Sequence, residues 1–319
     1  MYLSNYGEEY LINYIQKILN VEKDSLDNDV SYFRLNESKY LVVKIDGYVE
    51  STSRLSFQSL KEYSRKCVYA CASDLLVKLV KPEIGVTSIT VPNIRVMEFE
   101  EIIQGIYEGF REFEITCLGG DLNEGNEISI NVVMLGLTEF TIHRKPKVGD
   151  ILVTPFMYGY TGIIFKLLNL DKLGQYVKDK VVIEGIEMLR NPKLDKKLPE
   201  KLKPYINYIH ASMDSSDGLG RVLWTMARLG RVTIEVDTLP TSIDLLQFCE
   251  QLKIDPLEVI FNGGEEYLPV FAIDPSVVYD FERLGYIPFA KVTDKSDGKV
   301  LYHNEELKFT GWEYFKRST

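Results

Sequence analysis

The chain has 319 residues, of which 45% are apolar and 26% charged, a composition typical of a soluble globular protein with about two domains. Acidic residues outnumber basic ones by 47 to 37, and the net charge of −10 argues against broad electrostatic binding of nucleic acid or an anionic membrane. The apolar runs are too short to span a bilayer, and residues 1–20 carry charges that a signal peptide lacks. We therefore expect a cytoplasmic protein that contacts neither nucleic acid nor membranes.

Hydrophobic patterns of two periods alternate along the chain and predict a mixed α/β fold. In the first half, Val- and Ile-rich segments predict strands and apolar residues at helical spacing predict helices: strands at 41–45 and 128–135, helices at 56–80 and 98–113. In the second half the same patterns predict a strand at 151–155, a helix from about Gly162, a helix after Asp217, and strands near Thr233 and Tyr267.

The run from His143 to Asp150 interrupts the apolar pattern with charged residues, Pro146 and Gly149. Such a break is typical of a domain boundary. We predict an N-terminal domain over residues 1–143 and a C-terminal domain over 144–319.

Cysteines and histidines give no support for nucleophilic catalysis or a zinc site. Four scattered cysteines are too few for a disulfide framework in a chain of this length. Cys67 and Cys71 have the spacing of one helix face, which favours core packing over zinc binding. The three histidines show no spacing that indicates a catalytic triad.

A series of aspartates at predicted element ends is the main candidate for chemistry: Asp27, Asp29, Asp46, Asp74, Asp121, Asp214 and Asp217. Several converging carboxylates repel one another unless divalent cations lie between them, and hard oxygen ligands of this kind favour Mg²⁺. The alternative is that each acid caps a helix or begins a turn, and Ser216 or Asp217 is well placed to cap the helix that follows.

A short sequence pattern occurs in both halves of the chain. Ser73-Asp74 is followed by Gly119-Gly120-Asp121, and Ser216-Asp217 is followed at nearly the same spacing by Gly263-Gly264-Glu265. The pattern predicts an acid beside a helix and then a Gly-Gly-acid turn in each half, through duplication or by chance. Because the Walker A and G-x-G-x-x-G loops are absent, phosphate binding would depend on acids, Mg²⁺ and glycine backbone.

The motifs taken in order are similar to those of one family. They are Gly7-Glu8, Leu26 to Val30, Asp46 to Thr52, Ser73-Asp74, Gly119 to Glu124, Met213 to Leu219, Gly263 to Tyr267 and Gly311 to Phe315. The chain resembles the thiamine-monophosphate kinases, most closely their archaeal branch, within the aminoimidazole ribonucleotide synthetase superfamily. Met213-Asp214-Ser215-Ser216-Asp217-Gly218-Leu219 and Gly263-Gly264-Glu265-Glu266-Tyr267 are the most specific matches.

The resemblance implies a two-domain fold in which N-terminal strands form a barrel with a second subunit of a homodimer. It implies ATP and several Mg²⁺ ions in an N-terminal cleft, and direct transfer of the γ-phosphoryl group of ATP to thiamine monophosphate. Carried over to this sequence, the metal-binding acids are Asp29, Asp46, Asp74, Asp121, Asp214 and Asp217. The nucleotide contacts are Gly120, Asp121, Arg144 and Ser216, and the substrate contacts are Ser53, Glu265 and Phe309. No catalytic nucleophile is expected.

The sequence departs from the family pattern at two metal-binding triplets, which are Asp27-Asn28-Asp29 and Lys44-Ile45-Asp46 here. The family has an aspartate in place of Asn28 and a threonine in place of Ile45. Two alternatives therefore stand beside the kinase hypothesis: a relative that uses ATP on another acceptor, and a nucleotide-binding dimer without catalysis.

Overall fold

The structure is a computed structural model, and it describes residues 3–21, 28–155, 157–309 and 311–312. The described helices are α1 (Glu8–Leu19), α2 (Glu50–Ser53), α3 (Leu60–Val77), α4 (Val96–Glu112), α5 (Tyr160–Asn169), α6 (Leu173–Tyr176), α7 (Lys180–Arg190), α8 (Leu198–Leu202), α9 (Leu219–Gly230), α10 (Ile243–Leu252), α11 (Pro256–Asn262) and α12 (Val278–Arg283). Short 3-10 helices lie at Leu3–Asn5, Lys203–Tyr208 and Pro275–Val277.

The described strands are β1 (Ser31–Arg34), β2 (Tyr40–Val49), β3 (Ile84–Val91), β4 (Thr116–Glu124), β5 (Ser129–Thr138), β6 (Ile151–Thr154), β7 (Ile209–Asp214), β8 (Val232–Val236), β9 (Pro269–Ile273), β10 (Ile287–Lys295), β11 (Lys299–Tyr302) and β12 (Glu305–Glu306). The mixed α/β class predicted from the sequence is confirmed. The predicted helices at 56–80 and 98–113 correspond to α3 and α4, and the predicted strands at 41–45 and 128–135 lie within β2 and β5.

Two compact units can be distinguished. The five-strand unit comprises Val30–Ile142 and Ile186–Ile206, and the seven-strand unit comprises the described part of Met1–Asp29, His143–Gly185 and the described part of Asn207–Thr319. The chain passes from one unit to the other at His143, inside the predicted boundary region. The units also exchange segments, since Ile186–Ile206 packs with the five-strand unit. A division by sequence position at residue 143 does not describe that exchange.

In its described residues, the five-strand unit contains one sheet with the order β1-β2-β5-β3-β4. β3 and β4 are parallel, and the other neighbours are antiparallel. One face is covered by α3, which begins with a capping box between Ser59 and Glu62. The sheet side chains on this face include Val42, Ile130 and Val132, all fully buried. Burial of this alternating set stabilises the unit.

The other face of this sheet, which we call the open face, carries exposed apolar side chains. Ile45 is 62% exposed and Leu137 is 45% exposed. The edge strand β4 is exposed along its whole length. The five-strand unit thus has one covered and one uncovered sheet face.

The described part of the seven-strand unit contains a sheet with the order β12-β11-β8-β10-β6-β9-β7. Helix α9 packs against α11 and β8 and buries Val222, Leu223 and Met226. β7 and β9 are antiparallel neighbours, and Asp214 at the end of β7 is paired with Pro269 at the start of β9. This pairing places the segments after β7 and before β9 side by side.

In the part of the chain that the structure describes, no helix is both long and apolar enough to cross a bilayer.

Candidate functional site

Two aspartates of the five-strand unit share one lysine. The Lys44 ammonium nitrogen lies 2.6 Å from Asp74 Oδ2 and 3.2 Å from Asp46 Oδ1. Lys44 and Asp46 are on β2, and Asp74 is on α3, whose side chains pack against this face of the sheet. The Asp74 side chain is only 8% exposed. Placing a carboxylate where it has so little exposure is costly unless a cation pairs with it, and Lys44 provides that cation.

The positions of these acids within their elements differ from the prediction. Asp46 lies inside β2, and Asp74 lies inside α3, so neither is at an element end. Their proximity results from the packing of a helix on a sheet, which the sequence pattern alone does not contain. Nearby Cys71 is fully buried, and burial raises the pKa of its thiol well above the ordinary value. The predicted core role of Cys71 is confirmed.

Ile45 replaces the threonine of the family pattern, and its side chain points away from these acids. Successive side chains of a strand lie on opposite faces. The exposed Ile45 side chain is therefore on the open face, whereas Lys44 and Asp46 are on the helix-covered face. Substitution at position 45 alters the open face of the sheet and leaves the Lys44 face unchanged.

The predicted Gly-Gly-acid turn at residues 119–121 is wrong, because these residues lie within strand β4. Asp121 is opposite Ser88 on β3, and the ladder continues through Asn131 to Gly47. Residues that pair across neighbouring strands lie on the same face of the sheet, so Asp121 shares a face with Gly47. Gly47 directly follows Asp46 and therefore lies on the opposite face, so Asp121 is on the open face. There it accepts a hydrogen bond from Asn123 Nδ2 at 2.7 Å. Within the five-strand unit, Asp121 is not brought together with Asp46 and Asp74.

Glycine is required at position 120 by the approach of two strands. A Cβ atom there would lie 2.1 Å from the Thr87 carbonyl oxygen. Gly119 has a φ of +118° and open space where a side chain would project. The sheet therefore explains Gly120, while the exposed backbone at Gly119 is open to an incoming group.

In the seven-strand unit, the end of β7 and the loop after it hold three of the predicted site residues: Asp214, Ser216 and Asp217. Asp214 is 2% exposed, and the Ser216 hydroxyl donates to its Oδ1 at 3.3 Å. The predicted helix cap at Ser216 or Asp217 is wrong, since Gly218 is the N-cap of α9 and no side chain caps the helix. The two side chains are thus not engaged in capping.

The second Gly-Gly motif packs against this loop. The Glu265 N–H donates to the Ser216 carbonyl at 2.7 Å, and the Leu268 N–H donates to the Ser215 hydroxyl at 3.0 Å. Glu265 and Tyr267 have φ values of +58° and +53°. Left-handed backbone is uncommon at non-glycine residues, so the contacts of this loop must offset its conformational cost.

Asp29 and Arg144 form an ion pair with little exposure. Asp29 lies just before the five-strand unit in the sequence, and Arg144 lies just after its first segment. Arg144 Nη1 donates to Asp29 Oδ1 at 2.9 Å, and the two side chains are 15% and 6% exposed. Arg144 also lies 3.9 Å from the Met213 sulfur, beside the loop after β7. Neighbouring Asn28 contacts His143 Nδ1 through its amide nitrogen at 3.1 Å. Asp29 and Arg144 are therefore brought together, whereas Leu26 and Asp27 are outside the described residues.

The C-terminal segment joins the same loop of the seven-strand unit. The Trp312 N–H donates to the Asp217 carbonyl at 3.1 Å, and the Arg221 guanidinium donates to the Trp312 carbonyl at 2.8 Å. Phe309 contacts Gly220 through its backbone, since a Cβ on Gly220 would lie 2.4 Å from the Phe309 oxygen. The structure thus brings Phe309 together with the Asp217 loop, and residues 313–315 are outside the described residues.

Ser53 ends α2 in the five-strand unit and is nearly buried. Its carbonyl accepts a hydrogen bond from the Lys66 ammonium at 2.6 Å, and Lys66 is itself fully buried. Sequence patterns did not identify Lys66, because a lysine in an apolar helix is normally placed on its exposed side. Lys44 was also missed, although its i, i+2 relation to Asp46 on a strand places both on one face.

Glu266 is a further missed residue, one position beyond the predicted substrate contact Glu265. It is 2% exposed, and its Oε1 accepts a hydrogen bond from the Gly159 N–H at 3.2 Å. Burial raises the pKa of this carboxyl group from 4.5 to about 8. Adjacent glutamates give no sequence signal that distinguishes the buried one from the half-buried one.

The donor set of both units fits Mg²⁺. It consists of carboxylate oxygens with little exposure and of hydroxyl groups, and no histidine or thiolate is needed to complete it. Two of the carboxylates with little exposure have a cation within ion-pair distance, Asp74 in Lys44 and Asp29 in Arg144, and such pairing offsets the cost of low exposure.

Comparison with known proteins identifies the family and agrees with the fold. Residues 27–138 match the family described as AIR synthase related protein, N-terminal domain, which defines the class of the five-strand unit. Thiamine-monophosphate kinases from Pyrobaculum calidifontis and Nitrosopumilus maritimus are 37% and 32% identical, over 97% and 98% of this chain and 96% and 100% of theirs. The chain belongs to the thiamine-monophosphate kinase family.

A solved structure of AaThiL complexed with AMPPCP and TMP has the same fold. Its TM-score is 0.85 at 24% identity, and the match covers 98% of this chain and 99% of that chain. The predicted family and fold are confirmed.

Proposed function

We propose that the protein transfers the γ-phosphoryl group of ATP to thiamine monophosphate and releases ADP and thiamine diphosphate. The observation that carries this function is the 37% identity to a thiamine-monophosphate kinase over 97% of the chain. The matching complex with AMPPCP, an ATP analogue, and TMP supports the same pair of substrates.

The residues carried over from the family are proposed to act in three groups. Asp29, Asp46, Asp74, Asp121, Asp214 and Asp217 bind the Mg²⁺ that accompanies the nucleotide. Gly120, Asp121, Arg144 and Ser216 contact ATP, and Ser53, Glu265 and Phe309 contact thiamine monophosphate. The near-complete burial of Asp74 and Asp214 supports the metal role, because carboxylates with so little exposure need cations nearby.

The reaction requires two anions to approach each other. When bound, Mg²⁺ supplies charge neutralisation that is largest in the transition state. Arg144 adds a fixed counter-charge, and its ion pair holds the Asp29 carboxylate in one orientation. The acceptor phosphate oxygen is already anionic near neutral pH, so no general base is needed. The protein therefore contributes positioning and charge, and transfer is direct.

The open face supports a homodimer. Monomeric proteins rarely expose contiguous apolar surface together with an uncovered edge strand. The open face carries Ile45 and Leu137, and β4 beside it is exposed along its length. A second copy of the chain would cover both. Asp121 also lies on the open face, and we place it at this subunit interface.

The function is tested by ADP release from ATP and Mg²⁺ with thiamine monophosphate, with other phosphorylated acceptors, and with no acceptor. We expect release that depends on thiamine monophosphate. Release with another acceptor alone would identify a different kinase, and nucleotide binding without release would identify an inactive protein.

The same assay connects the function to the site. Asp74→Asn removes a carboxylate that helps hold the metal, and with it charge neutralisation that is largest in the transition state, so we expect a loss of turnover of about 100-fold or more. Asp244→Asn is the matched control, because Asp244 pairs with Lys180 on an exposed surface and should retain full turnover. Near-normal turnover of Asp74→Asn at limiting Mg²⁺ would remove Asp74 from the site.

A further inference from the structure

The lysine shared by Asp46 and Asp74 occupies a position suited to a bridging cation. Its ammonium nitrogen contacts one oxygen of each carboxylate, Asp46 Oδ1 and Asp74 Oδ2. The three side chains come from two elements, β2 and α3, and are 24% exposed or less. A positive charge is thus held between two acids that would otherwise repel each other across a helix–sheet contact.

We propose that the Lys44 ammonium is a built-in cation of the metal site and takes the place of one divalent ion between Asp46 and Asp74. The inference rests on the proposed function, since it concerns two of the acids assigned to Mg²⁺. It goes further by assigning part of the neutralising charge to the polypeptide.

The charges determine what such a lysine does. Among these three side chains, two carboxylates carry two negative charges and the ammonium carries one positive charge, so together they can still attract Mg²⁺. Without Lys44, the pair would attract an additional divalent ion to the same space. The ammonium also remains in place when nucleotide and product leave, so the two acids keep their spacing between turnovers.

Strand geometry fixes this arrangement. Lys44 and Asp46 are two residues apart on β2, so both side chains lie on the face covered by α3. A lysine at position 45 would lie on the open face and could not reach Asp74. A lysine can therefore contact both carboxylates from position 44 but not from position 45.

The test counts metal ions directly. Mn²⁺, which accepts the same oxygen ligands as Mg²⁺, is titrated into the full-length protein with AMPPCP, and bound ions are counted by electron paramagnetic resonance. We expect Lys44→Ser to bind about one more Mn²⁺ per chain than the wild type, because the space between the carboxylates can then hold an ion. Lys44→Arg keeps the charge and should keep the wild-type count.

One control variant and one alternative measurement make the result decisive. Lys180→Ser removes an exposed lysine that pairs with Asp244, and it should not change the count. If Lys44→Ser is too unstable to titrate, its melting temperature is measured with and without Mn²⁺. A larger increase with Mn²⁺ than in the wild type supports the proposal, and an equal increase overturns it.

Equal ion counts in folded Lys44→Ser and the wild type would also overturn the proposal, even if the wild type phosphorylates thiamine monophosphate. Conversely, an extra ion in Lys44→Ser, combined with no turnover of thiamine monophosphate by the wild type, would overturn only the assigned acceptor. The two failures are therefore distinguishable.

Discussion

Glu266 shows how burial changes the behaviour of a single carboxyl group. In the unfolded chain this group ionises near pH 4.5, whereas in the folded protein its pKa is about 8. Below pH 4.5 both states are protonated, and Glu266 adds no pH dependence. As the pH rises to about 8, the unfolded state loses its proton first, so the folded state becomes less stable.

We therefore predict that Glu266→Gln removes a loss of stability between pH 5 and pH 8. The size of that loss is on the order of a few kcal/mol. Urea unfolding of both proteins at the two pH values measures it, with Glu282→Gln, an exposed glutamate, as the control. If wild type and Glu266→Gln lose the same stability over this range, Glu266 is ionised in the fold at neutral pH.

The residue types of the proposed site follow from the sequence, but their surroundings do not. The family motifs select Asp74 and Asp214 as proposed metal ligands, and the structure adds that both are buried. The motif does not show that Asp74 lies inside a helix or that Lys44 is its partner, because that contact joins two elements through tertiary packing. Burial of Glu266 could not be predicted for the same reason. Glu265 and Glu266 are adjacent in the Gly-Gly-Glu-Glu-Tyr motif, and the motif does not show which of them is buried.

At the scale of elements, the open face and β4 form the surface that we propose is covered by a second copy of the chain. Ile45→Asp places a charge on the open face, where burial in a dimer would be strongly unfavourable. We predict that this variant becomes monomeric in analytical ultracentrifugation while the wild type is dimeric. Because Ile45 is exposed in the single chain, the fold itself should tolerate the change.

The matched control for this prediction is Ile243→Asp. Ile243 is 72% exposed at the start of α10 in the seven-strand unit, outside the open face. It should leave the mass unchanged. Dimers of unchanged stability in Ile45→Asp would place the subunit contact elsewhere on the molecule.

Long periodic elements were predictable, and β4 was not. The apolar spacing in α3 and α4 is strong enough to identify both helices from the sequence. Gly119-Gly120 is typical of a turn, yet here the glycines allow β4 to approach β3 at the Thr87 carbonyl. A backbone contact with a distant strand overrode the local preference, which also explains why the sequence pattern that occurs in both halves does not correspond to equivalent local structure.

For the whole molecule, the proposed mechanism predicts that no phosphorylated protein forms. Within the sequence and the described structure, we identified no activated serine, cysteine or histidine, and Cys71 is held as a neutral thiol by burial. Incubation with γ-labelled ATP and Mg²⁺ but no acceptor should leave the protein unlabelled after denaturation. A stable label that passes into thiamine diphosphate when thiamine monophosphate is added would contradict direct transfer.

The exchange of chain segments between the units was also beyond sequence reasoning. Charge, Pro146 and Gly149 mark the crossing at His143, but nothing in the composition of Ile186–Ile206 indicates that it packs with the five-strand unit. That assignment depends on contacts such as the Gln58 amide donating to the Leu189 carbonyl at 2.7 Å, between residues far apart in sequence.

The close fit of the two loops in the seven-strand unit limits how this enzyme can be altered. A single Cβ added at Gly218 would lie 1.7 Å from the Gly263 carbonyl oxygen, so neither loop can gain bulk unless the other retreats. We therefore expect a change of backbone in the Met213 to Leu219 motif to be tolerated only with a compensating change in the Gly263 to Tyr267 motif. An attempt to redesign this region should keep both glycines, since the φ of +93° at Gly218 would also strain any side chain placed there.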